Sequence, residues 1–100
     1  MQNRGLGRTG LQVSELGMDT WQTFDVRGAA GDAHCARIAG EAIRLGINFF
    51  DTAPMYGDAE RVLGLALAGG RAETLIATKV LEHSEASALA SIERSFQLLR

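Results

Sequence analysis

Three β-prone apolar runs, each followed by a stripe of apolar residues at helical spacing, recur roughly every 30 residues, and this alternation is the sequence form of a parallel-sheet α/β architecture. The runs are Val13 to Met18, Ile47 to Asp51 and Leu75 to Val80. Two arrangements satisfy the pattern. A doubly wound sheet can be small, whereas a (β/α)8 barrel needs eight units and about 250 residues. Composition does not choose between them, because both bury strands on two faces and both place chemistry at the strand C-terminal ends.

The helices follow from caps and spacing. Asp32 is the expected N-cap of the first helix, whose Ile38, Ala39, Ala42, Ile43 and Leu45 form one stripe ended by Gly46. A second helix starts near Asp58, turns Val62, Leu63, Ala66 and Leu67 inward, and stops at Gly69-Gly70. Ser84 caps a third, with Leu89, Ile92, Phe96 and Leu99 at helical steps. That stripe reaches Arg100 with no glycine, asparagine or proline after it, so the helix reads as cut rather than concluded. Ahead of the three units, residues 4 to 16 alternate apolar and polar side chains about a glycine-rich turn, the pattern of a short hairpin.

Composition removes whole classes of function. At 100 residues, 46% hydrophobic and 22% charged with one proline, the chain has the make-up of a single compact domain. A formal net charge of −2, with both signs interleaved, offers no basic patch for nucleic acid or an anionic membrane. The lone Cys35 has no intrachain disulfide to make. No signal peptide is apparent, no apolar run approaches the roughly 20 residues of a membrane helix, and a cytoplasmic location is expected. No metal-binding constellation is expected either.

One cation stands out: nine of the ten basic residues are arginine, and the single lysine, Lys79, lies near the end of the third apolar run. A strand-end lysine can simply reach to solvent. It can also supply a compact charge that favours ionisation of a neighbouring acid. Asp51 closes the preceding strand, and Tyr56 follows in a loop holding Pro54 and Gly57. Adjacent parallel strands bring the three together as a proton-transfer device. A phenol titrating near its free value of about 10 is a poor acid at neutral pH, and an adjacent cation improves it. Singly, Asp51 reads as a turn residue and Tyr56 as a packed aromatic; at two successive strand ends the combination favours a site.

Three segments in this order, Leu6 to Gly17, Gly46 to Gly57 and Ile76 to Lys79, resemble the N-terminal third of the aldo/keto reductase family. The most specific stretch is Asp51-Thr52-Ala53-Pro54-Met55-Tyr56-Gly57, followed by Glu60 and Gly64 in a Glu-x-x-x-Gly pattern. The resemblance implies a partial (β/α)8 barrel: residues 1 to 100 as the N-terminal portion of the domain, with about three β/α units behind a β-hairpin. It further implies reduction of small aldehydes or ketones with a nicotinamide cofactor, usually NADPH. Asp51, Tyr56 and Lys79 match three of the four catalytic positions: Tyr56 the general acid, Lys79 the cation that strengthens it, Asp51 the carboxylate that holds Lys79. Thr20 falls at a cofactor-binding position and Trp21 at the substrate pocket. The fourth member, a histidine after the fourth strand, has no match in either His34 or His83, and the loops that bind the cofactor phosphates are absent. Asp19 stands where the family commonly has glycine beside the nicotinamide.

Gly5-Leu6-Gly7-Arg8-Thr9-Gly10 spells the Gly-x-Gly-x-x-Gly of a dinucleotide turn, but the following Leu11, Val13 and Leu16 alternate as a strand, so a hairpin is expected there. Three of eight barrel units leave open parallel edges and an uncovered apolar face. The expectation is therefore an incomplete, inactive enzyme prone to self-association through those edges. The alternative is a non-catalytic relative that binds or regulates another protein by strand addition.

Overall fold

The computed structural model describes all residues from Met1 to Arg100. Strands β1 (Asn3–Gly5) and β2 (Gln12–Ser14) form an antiparallel hairpin. Gly7 and Gly10 turn between them at φ 54° and 79°, and no helix follows, which disposes of the dinucleotide reading. The strand expected from Val13 to Met18 is in fact two. Ser14 donates its hydroxyl to the Leu16 carbonyl (2.7 Å) and its amide to Asn48 Oδ1 (2.8 Å), bending the chain before a two-residue β3 (Met18–Asp19). Asn48 also donates to the Gln12 carbonyl (3.0 Å), tying the hairpin to the chain just ahead of the next strand.

The remaining elements are α1 (Ala29–Arg44), β4 (Phe49–Asp51), α2 (Ala59–Leu67), a 3-10 turn at Arg71–Glu73, β5 (Leu75–Ala77) and α3 (Glu85–Leu99). Strands β3, β4 and β5 are parallel neighbours in chain order, in register as Met18↔Phe50↔Ile76 and Asp19↔Asp51↔Ala77. With no reversal of order and right-handed crossovers, all the helices fall on one face of the sheet. There α1 packs on α2 and α2 on α3. This is the wall of a barrel, not a doubly wound sheet. Its dimensions agree: 40 × 39 × 20 Å is thin enough for one sheet and one layer of helices, each helix about 10 Å across.

The core lies between those layers: Phe24, Phe50, Cys35, Ala39, Val62, Leu63 and Leu67, with Leu99 from α3. The expected cap Asp32 is not the cap. α1 begins earlier, after Gly28 at φ 85°, and Asp32 sits within its first turn facing Arg61. Ser84 does cap α3, accepting from the Ser87 amide at 3.2 Å. Of the α3 stripe only Leu99 is buried; Phe96 is 70% exposed, and Leu89 and Ile92 also face solvent because no element of this chain covers that flank. No helix is long and apolar enough to cross a membrane.

Candidate functional site

Alternation along the strands sorts the site residues by face. Met18, Phe50 and Ile76 pack toward the helices, so their neighbours Asp19, Asp51 and Ala77 point to the opposite face at the strand C-terminal ends. The ladder persists one residue further. Thr20 donates its amide to the Asp51 carbonyl (3.1 Å) and Thr52 its amide to that of Ala77 (2.9 Å). Threonines 20, 52 and 78 thus form the next row, directed back toward the helices. Thr20 and Thr52 are fully buried; Thr20 donates its hydroxyl to the Asp51 carbonyl (3.0 Å), while the Thr52 hydroxyl has no partner.

Strand β5 ends at Ala77 rather than Val80, because its pairing with β4 stops where Asp51 does. Lys79 therefore leaves from a segment already free of the sheet. Its Nζ donates to Asp51 Oδ2 at 2.6 Å and to the Thr52 carbonyl at 3.0 Å, and lies 4.9 Å from the centre of the Tyr56 ring. The hydrogen bond to Asp51 raises the Lys79 pKa above the ordinary lysine value, against a smaller opposing effect of desolvation and with Tyr56 contributing in the same sense. The three residues expected to converge do converge.

Behind them is a buried carboxylate. Glu60, in the first turn of α2 and 3% exposed, accepts the Thr78 hydroxyl at 2.6 Å and the Ser95 hydroxyl at 2.8 Å. Gly64, one turn on, lies so close to α3 that a Cβ there would overlap the Leu98 carbonyl. The Glu-x-x-x-Gly pattern is thus a device for docking α3 against α2. Thr78 and Ser95 went unnoticed in the sequence, although a threonine one position beyond each strand was a signal present in the letters.

The loop carrying Tyr56 is held from one side by Asp25, whose Oδ1 accepts the Asp58 amide at 2.9 Å. Gly57 has φ 59°, a conformation that favours glycine, and a Cβ there would push the Asp25 carboxylate aside. Arg61 of α2 holds the segment that carries Asp25, donating to both Asp32 oxygens at 3.0 Å and to the Val26 carbonyl at 3.1 Å. Asp32 is held below the usual carboxylate range by that bond, and Arg61 is raised in turn.

Trp21, two residues beyond β3, is 60% exposed, and Asp19 Oδ1 accepts its amide at 2.9 Å, which turns the Asp19 carboxylate back onto its own loop. Thr20 has no exposed surface, so any part it takes in holding a cofactor is indirect, through the strand end it fixes. His34 lies on α1 beside Arg37, and His83 is exposed ahead of α3; neither is among the groups around Lys79. For a nicotinamide cofactor the residues fit one end only. Lys79, Tyr56 and Asp51 suit proton transfer at that end, whereas the cations Arg27 and Arg61 are paired with Asp58 and Asp32.

Comparison with known proteins accords with this geometry. The sequence pattern of the Aldo/keto reductase family matches residues 15–100. The chain is 40% identical over 87 residues to L-galactose dehydrogenase of Arabidopsis thaliana, covering 82% of this chain but 27% of that protein. An aldo-keto reductase from Bacillus halodurans in its holo form superposes with a TM-score of 0.80 at 30% identity, over 99% of this chain and 36% of its own. One from Klebsiella pneumoniae, solved with NADPH, gives 0.78 at 29% identity, over 90% and 32%. The chain therefore spans about a quarter to two fifths of the proteins it resembles. The match of family pattern, sequence and fold makes this chain a member of the aldo/keto reductase family, folded as part of its (β/α)8 barrel.

Proposed function

We propose that this chain carries the proton-donating half of an NADPH-dependent reductase of small aldehydes and ketones. The observation that carries the reading is the Asp51–Lys79 ion pair at 2.6 Å beneath the half-buried Tyr56 ring, at the C-terminal ends of adjacent strands. The reduced nicotinamide, when bound, supplies the hydride to the carbonyl carbon. Tyr56 holds the proton that the developing alkoxide takes up at its oxygen. Lys79 stands beside the phenol as a fixed positive charge, which favours the phenolate left behind. Asp51 and the Thr52 carbonyl keep the ammonium in place, and the raised Lys79 pKa keeps it charged through the neutral range. Trp21, exposed just beyond the end of β3, offers an apolar wall for the substrate.

The test is to join residues 1–100 to the complementary remainder of a full-length relative and follow NADPH absorbance with a simple aldehyde. Turnover is expected from the joined barrel, with Tyr56→Phe losing about 10²–10⁴-fold. The 100-residue chain alone is expected to show no carbonyl-dependent oxidation. A joined barrel that folds and binds NADPH yet turns over equally well with Phe at position 56 would refute Tyr56 as the acid.

A further inference from the structure

We propose that Glu60 is a positioning residue for Lys79, acting through Thr78, so that a buried carboxylate on α2 determines where the cation of the proton-transfer site stands. The inference rests on the reading of Lys79 as the cation beside the proton donor. It begins from a burial that docking α3 explains only in part: Glu60 is 3% exposed, and its bonded partners are two hydroxyls, Ser95 Oγ of α3 at 2.8 Å and Thr78 Oγ1 beyond β5 at 2.6 Å, with no cation among them. An ionised group buried on such terms is costly compared with an apolar side chain of the same size. Its position in the first turn of α2 lowers the cost, because the free amides there favour negative charge.

What the carboxylate accomplishes follows from its neighbour. The last ladder pair of β5 is Asp51↔Ala77, and beyond it neither the Thr78 nor the Lys79 amide makes a backbone bond. Side chains in an extended segment alternate between faces. Fixing the Thr78 hydroxyl on the helix side therefore directs Lys79 to the other face, where Asp51 Oδ2, the Thr52 carbonyl and the Tyr56 ring receive it. Without that anchor the segment is free to rotate, and a long lysine side chain on an exposed edge follows it into solvent. Ser95 shares the same Glu60 oxygen but belongs to α3, fifteen positions or more from the strand end, so its bond secures the helix rather than the lysine.

The protein's single lysine makes the test direct, since the Lys79 side-chain ammonium is one nuclear magnetic resonance signal. The 15Nζ shift and the exchange rate of its protons are read at mildly acidic pH. Asp51→Asn supplies the values for a released ammonium. Thr78→Val, which keeps the shape and removes the donor, is expected to move both readings toward those of Asp51→Asn; Thr78→Ser restores them, and Ser95→Ala leaves them at wild type. If Thr78→Val does not fold, Thr78→Ala, which also removes the donor, is read in the same way. Wild-type readings in a folded Thr78→Val or Thr78→Ala chain overturn the proposal, as does an equal response to Ser95→Ala. No turnover enters these readings, so failure here is separate from failure of the reductase reading, which the joined barrel decides.

Discussion

Gly40 and Gly64 both lie inside helices, yet replacing each with alanine should move stability in opposite directions. Glycine within a helix costs about 1 kcal/mol relative to alanine, so propensity alone favours both substitutions. At Gly40, on the exposed side of α1, an added Cβ meets nothing within 4 Å, and the full gain is expected. At Gly64 the Cβ overlaps the Leu98 carbonyl oxygen and crowds Leu98 C and Leu99 Cα, all of them backbone atoms of α3. No rotamer relieves that contact; α3 must move. Overpacking of this kind costs about 1–3 kcal/mol. Displacing α3 also strains the Ser95 bond to the Glu60 carboxylate, a charged hydrogen bond worth about 1.5–3 kcal/mol. The propensity gain is the smaller effect, and Gly64→Ala should destabilise by roughly 1–3 kcal/mol net. Since 1 kcal/mol shifts the melting temperature of a domain this size by about 4–8 °C, circular-dichroism melts separate the two variants easily. Gly40→Ala should melt higher than wild type and Gly64→Ala lower. A Gly64→Ala chain that melts as high as Gly40→Ala would show that α2 and α3 do not approach as described.

Three further outcomes follow from the packing. Asp32 titrates below the usual carboxylate range because Arg61 bonds it, so its contribution to stability is complete above the ordinary aspartate value and lost as pH falls through the lower folded value. Urea midpoints of Asp32→Asn should accordingly fall below wild type at neutral pH and converge with it in strong acid; parallel curves at all pH values would contradict the assignment. The Cys35 thiol is fully buried, and its pKa is raised by that burial and further by Asp32. It should react with a disulfide reagent only as the chain unfolds, and rapid labelling under native conditions would be inconsistent with the core described. Leu81 and Phe96, each 70% exposed on the uncovered flank beside β5, should promote self-association. Replacing both with glutamate should give a smaller species by sedimentation, whereas unchanged assembly would place the contact elsewhere.

The α/β alternation was legible because strand and helix periods depend on apolar spacing, and at Phe50, Ala39, Leu63 and Leu67 that spacing and burial coincide. It does not say what covers an apolar stripe. Leu89, Ile92 and Phe96 keep helical steps as regularly as Val62, Leu63 and Leu67 do, yet they face solvent, because periodicity states which residues share a face and not what lies opposite. Element ends were misplaced for a related reason. Val13 to Met18 reads as one strand by residue type, and the chain bends after Ser14, where the Asn48 side chain, 34 positions away, accepts the Ser14 amide and the Ser14 hydroxyl turns to the Leu16 carbonyl. Asp32 reads as a cap until Arg61, 29 positions away, is seen to hold its carboxylate. Each error is a local preference overridden by a distant polar group.

The site divides along the same line. Asp51, Tyr56 and Lys79 were legible because their chemistry is unusual for their positions, above all a lone lysine among nine arginines. What holds them in place was less so: Glu60 is marked by its Glu-x-x-x-Gly pattern, but Asp25 and Thr78 are ordinary residues whose partners only the fold brings to them. Asp25 lies against Gly57 and supports the Tyr56 loop; Glu60 ties down Thr78 and so orients Lys79. Both are carboxylates that take their bonds from amides or hydroxyls instead of cations. Asp51, by contrast, takes its bond from a cation, and that bond keeps the Lys79 ammonium beside the phenol.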